Sequence, residues 1–183
     1  TKFGQAIAIA TSTPFGVGNS RFHYAQVEQE VDSVYMGAWP KKTFLKVGLF
    51  DEELVRDQDD EFNYRTKSLN GKIILNPFIK STYTVRNSPK ALWKQYFQYG
   101  FYKVRVLQKH PRQMSLRQFI PPLFVLSLIM AFICSLIFSW GWIMLTAVAG
   151  IYLLTNLSAS LIISLSKGMR FFPYLPLAYA ILH

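Results

Sequence analysis

Apolar positions are unevenly spaced along the chain, and their spacing divides it into three zones. In residues 1–88 they come in short runs broken by Gly, Pro and polar residues, the pattern of a soluble, mixed α/β segment. The run Ala6-Ile7-Ala8-Ile9-Ala10 fits a strand or a buried helix end, because periodicity does not separate the two over so short a stretch. Thr13-Pro14-Phe15-Gly16-Val17-Gly18-Asn19 reads as a loop from its Pro and Gly content. Residues 31–39 have the apolar and β-branched content of a strand ended by Pro40. Residues 42–47 predict a short helix closed by Gly48, and Asp57 is placed to cap a helix over 59–69 that ends in an Asn70-Gly71 turn. Residues 72–75 and 81–85 predict two more strands.

The second zone, residues 89–117, predicts an amphipathic helix. Trp93, Phe97, Gly100, Val104 and Leu107 recur at spacings of three and four, with Lys94, Lys103, Arg105 and Lys109 between them. Aromatic and basic residues without acidic ones suit a helix lying on an anionic membrane surface; a helix packed on its own domain has the same periodicity. The third zone, residues 118–183, is apolar enough for a membrane. Residues 119–138 carry no charge and are long enough to cross a bilayer. Ser139-Trp140-Gly141-Trp142 makes a tight interfacial connection, and residues 143–165 cross back. A third apolar element starts at 171, interrupted by Pro173 and Pro176. Lys167 and Arg170 then share a side with the basic segment before Phe119, which predicts a multi-pass protein of the inner membrane with residues 1–88 in the cytoplasm.

Charge sharpens this division. All ten acidic residues lie between Glu28 and Glu61, so the formal net charge of +10 arises entirely after Glu61. Because that basic stretch runs directly into apolar sequence, a membrane surface explains it better than nucleic acid, for which the composition offers little support. The single cysteine, Cys134, sits inside an apolar run and forms no disulfide or Cys/His metal site within the chain. The chain opens on Thr1 without a signal-peptide pattern and closes inside an apolar stretch, as a fragment would.

The chemistry is concentrated in Asp51-Glu52-Glu53-Leu54-Val55-Arg56-Asp57-Gln58-Asp59-Asp60-Glu61. Such a run is either a solvated face or a functional loop. Phe62 and Leu69, two helical turns apart, predict one buried face for the following helix, which would hold the carboxylates at its start in place. The spelling Asp57-Gln58-Asp59 matches a metal-diphosphate D-x-D motif, but that motif should end an apolar strand, and these residues follow Glu52, Glu53 and Arg56. Gly16-Val17-Gly18-Asn19 is no dinucleotide fingerprint, since no third glycine or strand–turn–helix unit surrounds it. His23 and His110 have no partners at metal spacing.

Val47-Gly48-Leu49-Phe50-Asp51-Glu52 resembles the GGFDE turn of family 2 glycosyltransferases with the GT-A fold. Asp57-Gln58-Asp59-Asp60-Glu61-Phe62-Asn63-Tyr64-Arg65 resembles the acidic helix start that follows it there, and Met36-Gly37-Ala38-Trp39-Pro40-Lys41-Lys42 resembles the small-residue stretch before it. With Thr13–Asn19, Ser81-Thr82-Tyr83-Thr84-Val85-Arg86 and the segment Gln95–Arg105, the set is most similar to succinoglycan-type exopolysaccharide glucosyltransferases.

The resemblance implies an α/β fold, the C-terminal part of a GT-A domain in residues 1–88, followed by an interfacial helix and transmembrane α-helices. It implies inverting transfer of a hexose from a nucleotide-sugar donor to a polyprenyl-diphosphate-linked saccharide acceptor, with Asp59 as catalytic base. Gln58, Asp60, Arg86, Gln95, Gln98, Gly37 and Ala38 are the implied substrate-binding residues. A divalent metal, Mg²⁺ or Mn²⁺, is implied too, with its ligands upstream of Thr1. Gln58 stands where the family commonly has Glu. Gln98 and Tyr99 replace the Arg and Trp of the processive Q-x-x-R-W motif, which favours single-sugar addition. A non-catalytic membrane scaffold, with the acidic run as a solvated face, is the alternative.

Overall fold

The first helix starts where Thr1 caps it: the Thr1 Oγ1 accepts the Gly4 N–H at 3.1 Å. The run that fitted strand or helix is thus α1 (Lys2–Ala10). Residues 1–18, 20–113 and 116–183 are described in this computed structural model; Asn19, Met114 and Ser115 lie outside them. A single turn, α2 (Pro14–Val17), is capped by Thr13 and followed by Gly18 at φ 57°. Helices α3 (Lys41–Val47), α4 (Gln58–Ser68) and α5 (Pro89–Lys109) follow, the last opened by the Ser88 Oγ on the Ala91 N–H. Two long helices, α6 (Ile120–Ile137) and α7 (Gly141–Lys167), lead to α8 (Leu175–Leu182).

The described residues are mostly helical, and this changes the α/β expectation. One two-stranded antiparallel ribbon is present among them, β1 (Gln29–Glu30) on β2 (Ile74–Leu75), with Gln29 opposite Leu75 and Glu30 opposite Ile74. The expected strand over 31–39 is reduced to one further ladder bond, from the Val31 N–H to the Ile73 carbonyl. The expected strand over 81–85 is backbone without ladder partners among the described residues. Strand propensity is realised only where a second strand supplies the pairing.

Two apolar centres organise the molecule. In the first, Phe3, Ala6, Ile7 and Ala10 of α1 meet Leu92 of α5, Phe171, and Leu175, Ala178 and Tyr179 of α8. Each fully buried large side chain there contributes about 1.5–3 kcal/mol. The element expected to begin a third span includes α8, which is seated on α1, α5 and α7. In the second centre, beside α3 and α4, the Trp39 ring stands edge-on to Phe44, Phe50 and Phe62, with centroids 5.1–6.3 Å away.

Helices α6 and α7 form an antiparallel hairpin long and apolar enough to cross a membrane, with mean hydropathies of 2.5 and 1.8. Their outer surfaces are large apolar side chains such as Leu136, Ile143, Ile151 and Leu165, all more than two-thirds exposed. The surfaces between elements use small or polar residues: Ala131, Ser135, Gly141, Asn156, Ser160 and Ser164. A Cβ on Gly141 would overlap the Cys134 and Ser135 backbone, so glycine lets the two helices turn so tightly.

Candidate active site

The acidic loop ends where α4 begins, and the carboxylates at that junction are held by a set of defined neighbours. Glu61, 1 % exposed, accepts two parallel bonds from Arg65, at 2.6 and 2.9 Å, and contacts the His110 Nε2 at 2.8 Å. The same guanidinium donates to the carbonyls of Val47 and Leu49, at 2.6 and 2.7 Å. These carbonyls flank Gly48, whose φ of 92° suits glycine, and a Cβ there would lie 3.4 Å from the Arg65 Nη1. One planar fork therefore locks the turn to the helix that starts the acidic site.

Asn63, fully buried, donates its amide to the Ser33 Oγ and the Val34 carbonyl. This pins the loop that carries Met36, Gly37 and Ala38 against α4. Gly37 is required by packing, because a Cβ there would stand 2.7 Å from the Trp39 ring. Met36 has φ 52° and Asp57 has φ 60°, so two non-glycine residues before Asp59 lie in the left-handed region. Such backbone costs of order 1–3 kcal/mol each and clusters at functional sites.

Asp59 is half-buried, and its Oδ1 accepts the Asp60 N–H at 3.0 Å. Burial pushes its carboxyl above the ordinary value. The Asp60 N–H pulls it back, the Asp60 charge raises it, and the N–H groups of Asp59 and Met36 lower it. The net effect is upward. Asp57 occupies the N-cap position of α4 but makes no side-chain cap bond, contrary to expectation, because its left-handed backbone turns the carboxyl away from the helix end. Its buried Oδ2 has no hydrogen-bond partner among the described residues. Burial, with the Asp60 charge next, raises its pKa to about 7.

Asp60 is held from α5 and the loop after it, by the Lys103 Nζ at 2.6 Å and the Gln113 Nε2 at 2.7 Å. Lys109 bridges Asp51 and Glu53, at 2.5 and 2.6 Å, and its bond holds the Asp51 carboxyl below the ordinary value. Lys103 and Lys109, which the pattern placed with the membrane-facing basic residues, therefore turn inward onto the acidic loop. Phe62 is fully buried as expected, whereas Leu69 is 43 % exposed.

The remaining predicted residues scatter around this centre. Gln58 and Ala38 are exposed, and Gly37 is part-buried beside Met36. Gln95 is buried and donates to the hydroxyls of Tyr83 and Tyr99, at 2.8 and 2.7 Å. Gln98 is part-buried on α5. Arg86 is exposed and sits beside α1, its carbonyl 3.5 Å from where a Cβ on Gly4 would stand. The Gly16–Gly18 loop packs near α8, with the Phe15 carbonyl 2.8 Å from the His183 Nε2; its Asn19 lies outside the described residues.

Lys103, Gln113, Arg65 and His110 were not singled out as site residues by sequence. The helical phase of Lys103, four residues from Tyr99 and seven from His110, was the signal for its inward direction. Among the described residues no group of three His, Cys, Asp or Glu side chains converges on a point where a metal ion would sit. Gln58 is exposed, and Asp57 is part-buried beside the charges of Asp60, Lys103 and Asp59. The resemblance puts the ligands of its divalent ion upstream of Thr1, and the described residues supply no such cluster of their own.

No family model matches the chain, and no solved structure is similar to it. Over 99 residues, 54 % of its length, the chain is 34 % identical to a Methanococcus voltae protein. That protein is dolichyl N-acetyl-alpha-D-glucosaminyl phosphate 3-beta-D-2,3-diacetamido-2,3-dideoxy-beta-D-glucuronosyltransferase, and the matched part is 30 % of its length. The chain is thus similar, over just more than half its residues, to part of a glycosyltransferase named for a lipid-linked sugar substrate.

Proposed function

We propose that the chain is the acidic-loop and membrane-proximal part of an inverting glycosyltransferase. In this reading it belongs with the GT-A enzymes of family 2 and moves a hexose from a nucleotide sugar to a polyprenyl-diphosphate-linked saccharide in exopolysaccharide synthesis. The observation that carries the reading is the setting of Asp59. It is a half-buried carboxylate reached through left-handed backbone, on a helix start fastened to the helix that leads into two membrane-length helices. The similarity to an enzyme acting on a dolichyl-phosphate-linked sugar supports both the transfer and the lipid-linked acceptor.

The chemistry asked of Asp59 is general-base catalysis. As the acceptor hydroxyl oxygen attacks the anomeric carbon, its proton passes to the Asp59 carboxylate, and the bond to the nucleotide diphosphate breaks on the opposite face. A carboxyl held above its ordinary value by burial takes that proton more readily than a solvated one. Helix α5 supports membrane docking. Its outer face carries exposed Trp93, Phe97, Phe101 and Val104, with exposed Lys90, Lys94 and Arg105 beside them, while Leu92, Gln95 and Val106 face inward. In this reading the acidic centre lies at the cytoplasmic surface of the membrane, where a lipid-linked acceptor presents its sugar.

The test is Asp59→Asn in the full-length protein, assayed for transfer of radiolabelled hexose to lipid extract. Loss of about a thousandfold in kcat with an unchanged unfolding midpoint is expected, within the usual reach of general-base catalysis. Undiminished transfer removes Asp59 as the base, and the absence of any transfer by the parent protein favours the scaffold reading.

A further inference from the structure

We infer that Lys103 is a positioning residue for Asp59, acting through Asp60 and so tying the base to the helix that meets the membrane. The inference rests on the reading of Asp59 as the base. Its chain of contacts is short. The Lys103 Nζ holds the Asp60 Oδ2 at 2.6 Å, and the Gln113 Nε2 holds the same oxygen at 2.7 Å and the Asp60 carbonyl at 3.3 Å. The Asp60 N–H then donates to the Asp59 Oδ1 at 3.0 Å. Asp60 is thus gripped from the α5 side, and its backbone presents a fixed donor to the base.

Burial makes this grip more than a surface ion pair. The Lys103 and Asp60 side chains are 22 % and 29 % exposed, so salt and water screen them less than a solvated pair. Lys103 also sits among several carboxylates. Asp57 feels Asp60 and Asp59 as raising influences and Lys103 and Arg56 as lowering ones. Without Lys103, Asp57 keeps Arg56 as a cation it feels and Asp60 keeps Gln113 as a neutral donor. Asp60 then loses its charged anchor, its N–H moves relative to Asp59, and the base loses a bond that lowers its proton affinity.

Lys109 offers the matching control. It also runs from α5 to the acidic loop, but its ion pairs among the described residues end on Asp51 and Glu53, away from Asp60 and Asp59.

The experiment uses the full-length protein in nanodiscs, with kcat, donor KM and the pH profile of kcat/KM measured for Lys103→Met, Lys103→Arg, Lys109→Met and Asp59→Asn. Lys103→Met is expected to lower kcat by about 10- to 100-fold, as small misplacements of catalytic groups do. Donor KM should stay within about threefold and the acidic limb of the profile should move to higher pH, with Lys103→Arg restoring most of the loss. Lys109→Met should leave the limb in place. An unchanged kcat and profile in Lys103→Met, or an equal limb shift in Lys109→Met, overturns the positioning role while Asp59→Asn remains inactive. An active Asp59→Asn instead overturns the reading of the base. If Lys103→Met does not fold, Gln113→Leu removes the other donor to the same oxygen: a shifted limb supports the inference and an unshifted one overturns it.

Discussion

Asp57→Asn should make the protein more stable above neutral pH. The side chain has one oxygen buried without a partner among the described residues, and Asp60 and Asp59 crowd it with like charge. Its pKa rises from the ordinary 3.8 to about 7, which corresponds to about 4 kcal/mol at about 1.36 kcal/mol per pH unit. The sign follows from proton counts. Between pH 3.8 and about 7 the unfolded chain has lost this proton while the native state keeps it, so stability falls as pH rises through that window. Above about 7 both states are ionised and the native state bears the whole cost. Asparagine has the same shape, tolerates a φ of 60°, and does not ionise. The variant's advantage is therefore absent below pH 3.8, grows by up to about 1.4 kcal/mol per pH unit, and levels off above pH 7 at roughly 3–4 kcal/mol.

The measurement is the difference in thermal unfolding midpoint between variant and parent, in one detergent, at pH 5, 6, 7 and 8. A difference that widens with pH and then flattens is expected. A constant difference would show that the carboxyl ionises normally in the folded protein. A variant less stable than its parent at pH 8 would show that the orphaned oxygen has a partner worth more than its desolvation.

Two further substitutions probe the scaffold. Arg65→Met leaves the buried Glu61 with His110 and strips the donor from the Val47 and Leu49 carbonyls. It should cost about 3–5 kcal/mol, read as a lower unfolding midpoint and faster proteolysis at the Gly48 turn, and Arg65→Lys should recover only part of this. Gly141→Leu drives a side chain into the Cys134 backbone and should destabilise the α6–α7 hairpin by about 1–3 kcal/mol or more. A variant with parental yield and midpoint would show that the hairpin turn is looser than the packing indicates.

Helices α3 and α5 are legible from the chemistry at a terminus, whereas the turn α2, capped by Thr13, reads as a loop. Gly48 closes α3, and Ser88 with Pro89 opens α5. The two long apolar runs specify α6 and α7 by composition alone. The strands are legible only in part: the run 72–75 holds β2, whereas a run such as residues 31–39 records only a preference, and preference becomes structure when a partner stands opposite. Residues 73–75 supply that partner for residues 29–31 and no farther. Asp57 failed as a cap for a related reason: sequence places a carboxylate at a helix start but does not set the backbone φ that decides whether it points at the free N–H groups.

Helix α5 shows most clearly how one pattern holds two messages. Its basic residues interleave with aromatic ones, and taken together they read as a membrane-facing stripe. At about 100° per residue, however, Lys94 and Arg105 fall beside Trp93, Phe97 and Val104, whereas Lys103 falls with Tyr99, Val106 and His110 on the packed face. The acidic residues of the chain end at Glu61, so those nearest the start of α4 draw much of their compensation from cations later in the sequence. Lys103 and Lys109 answer that need. One helix thus divides its positive charge between an exposed aromatic face and the acidic loop inside. If α5 docks on a membrane as proposed, a change in how it sits there would reach Asp60, and through its N–H Asp59, by polar contacts that are short and part-buried.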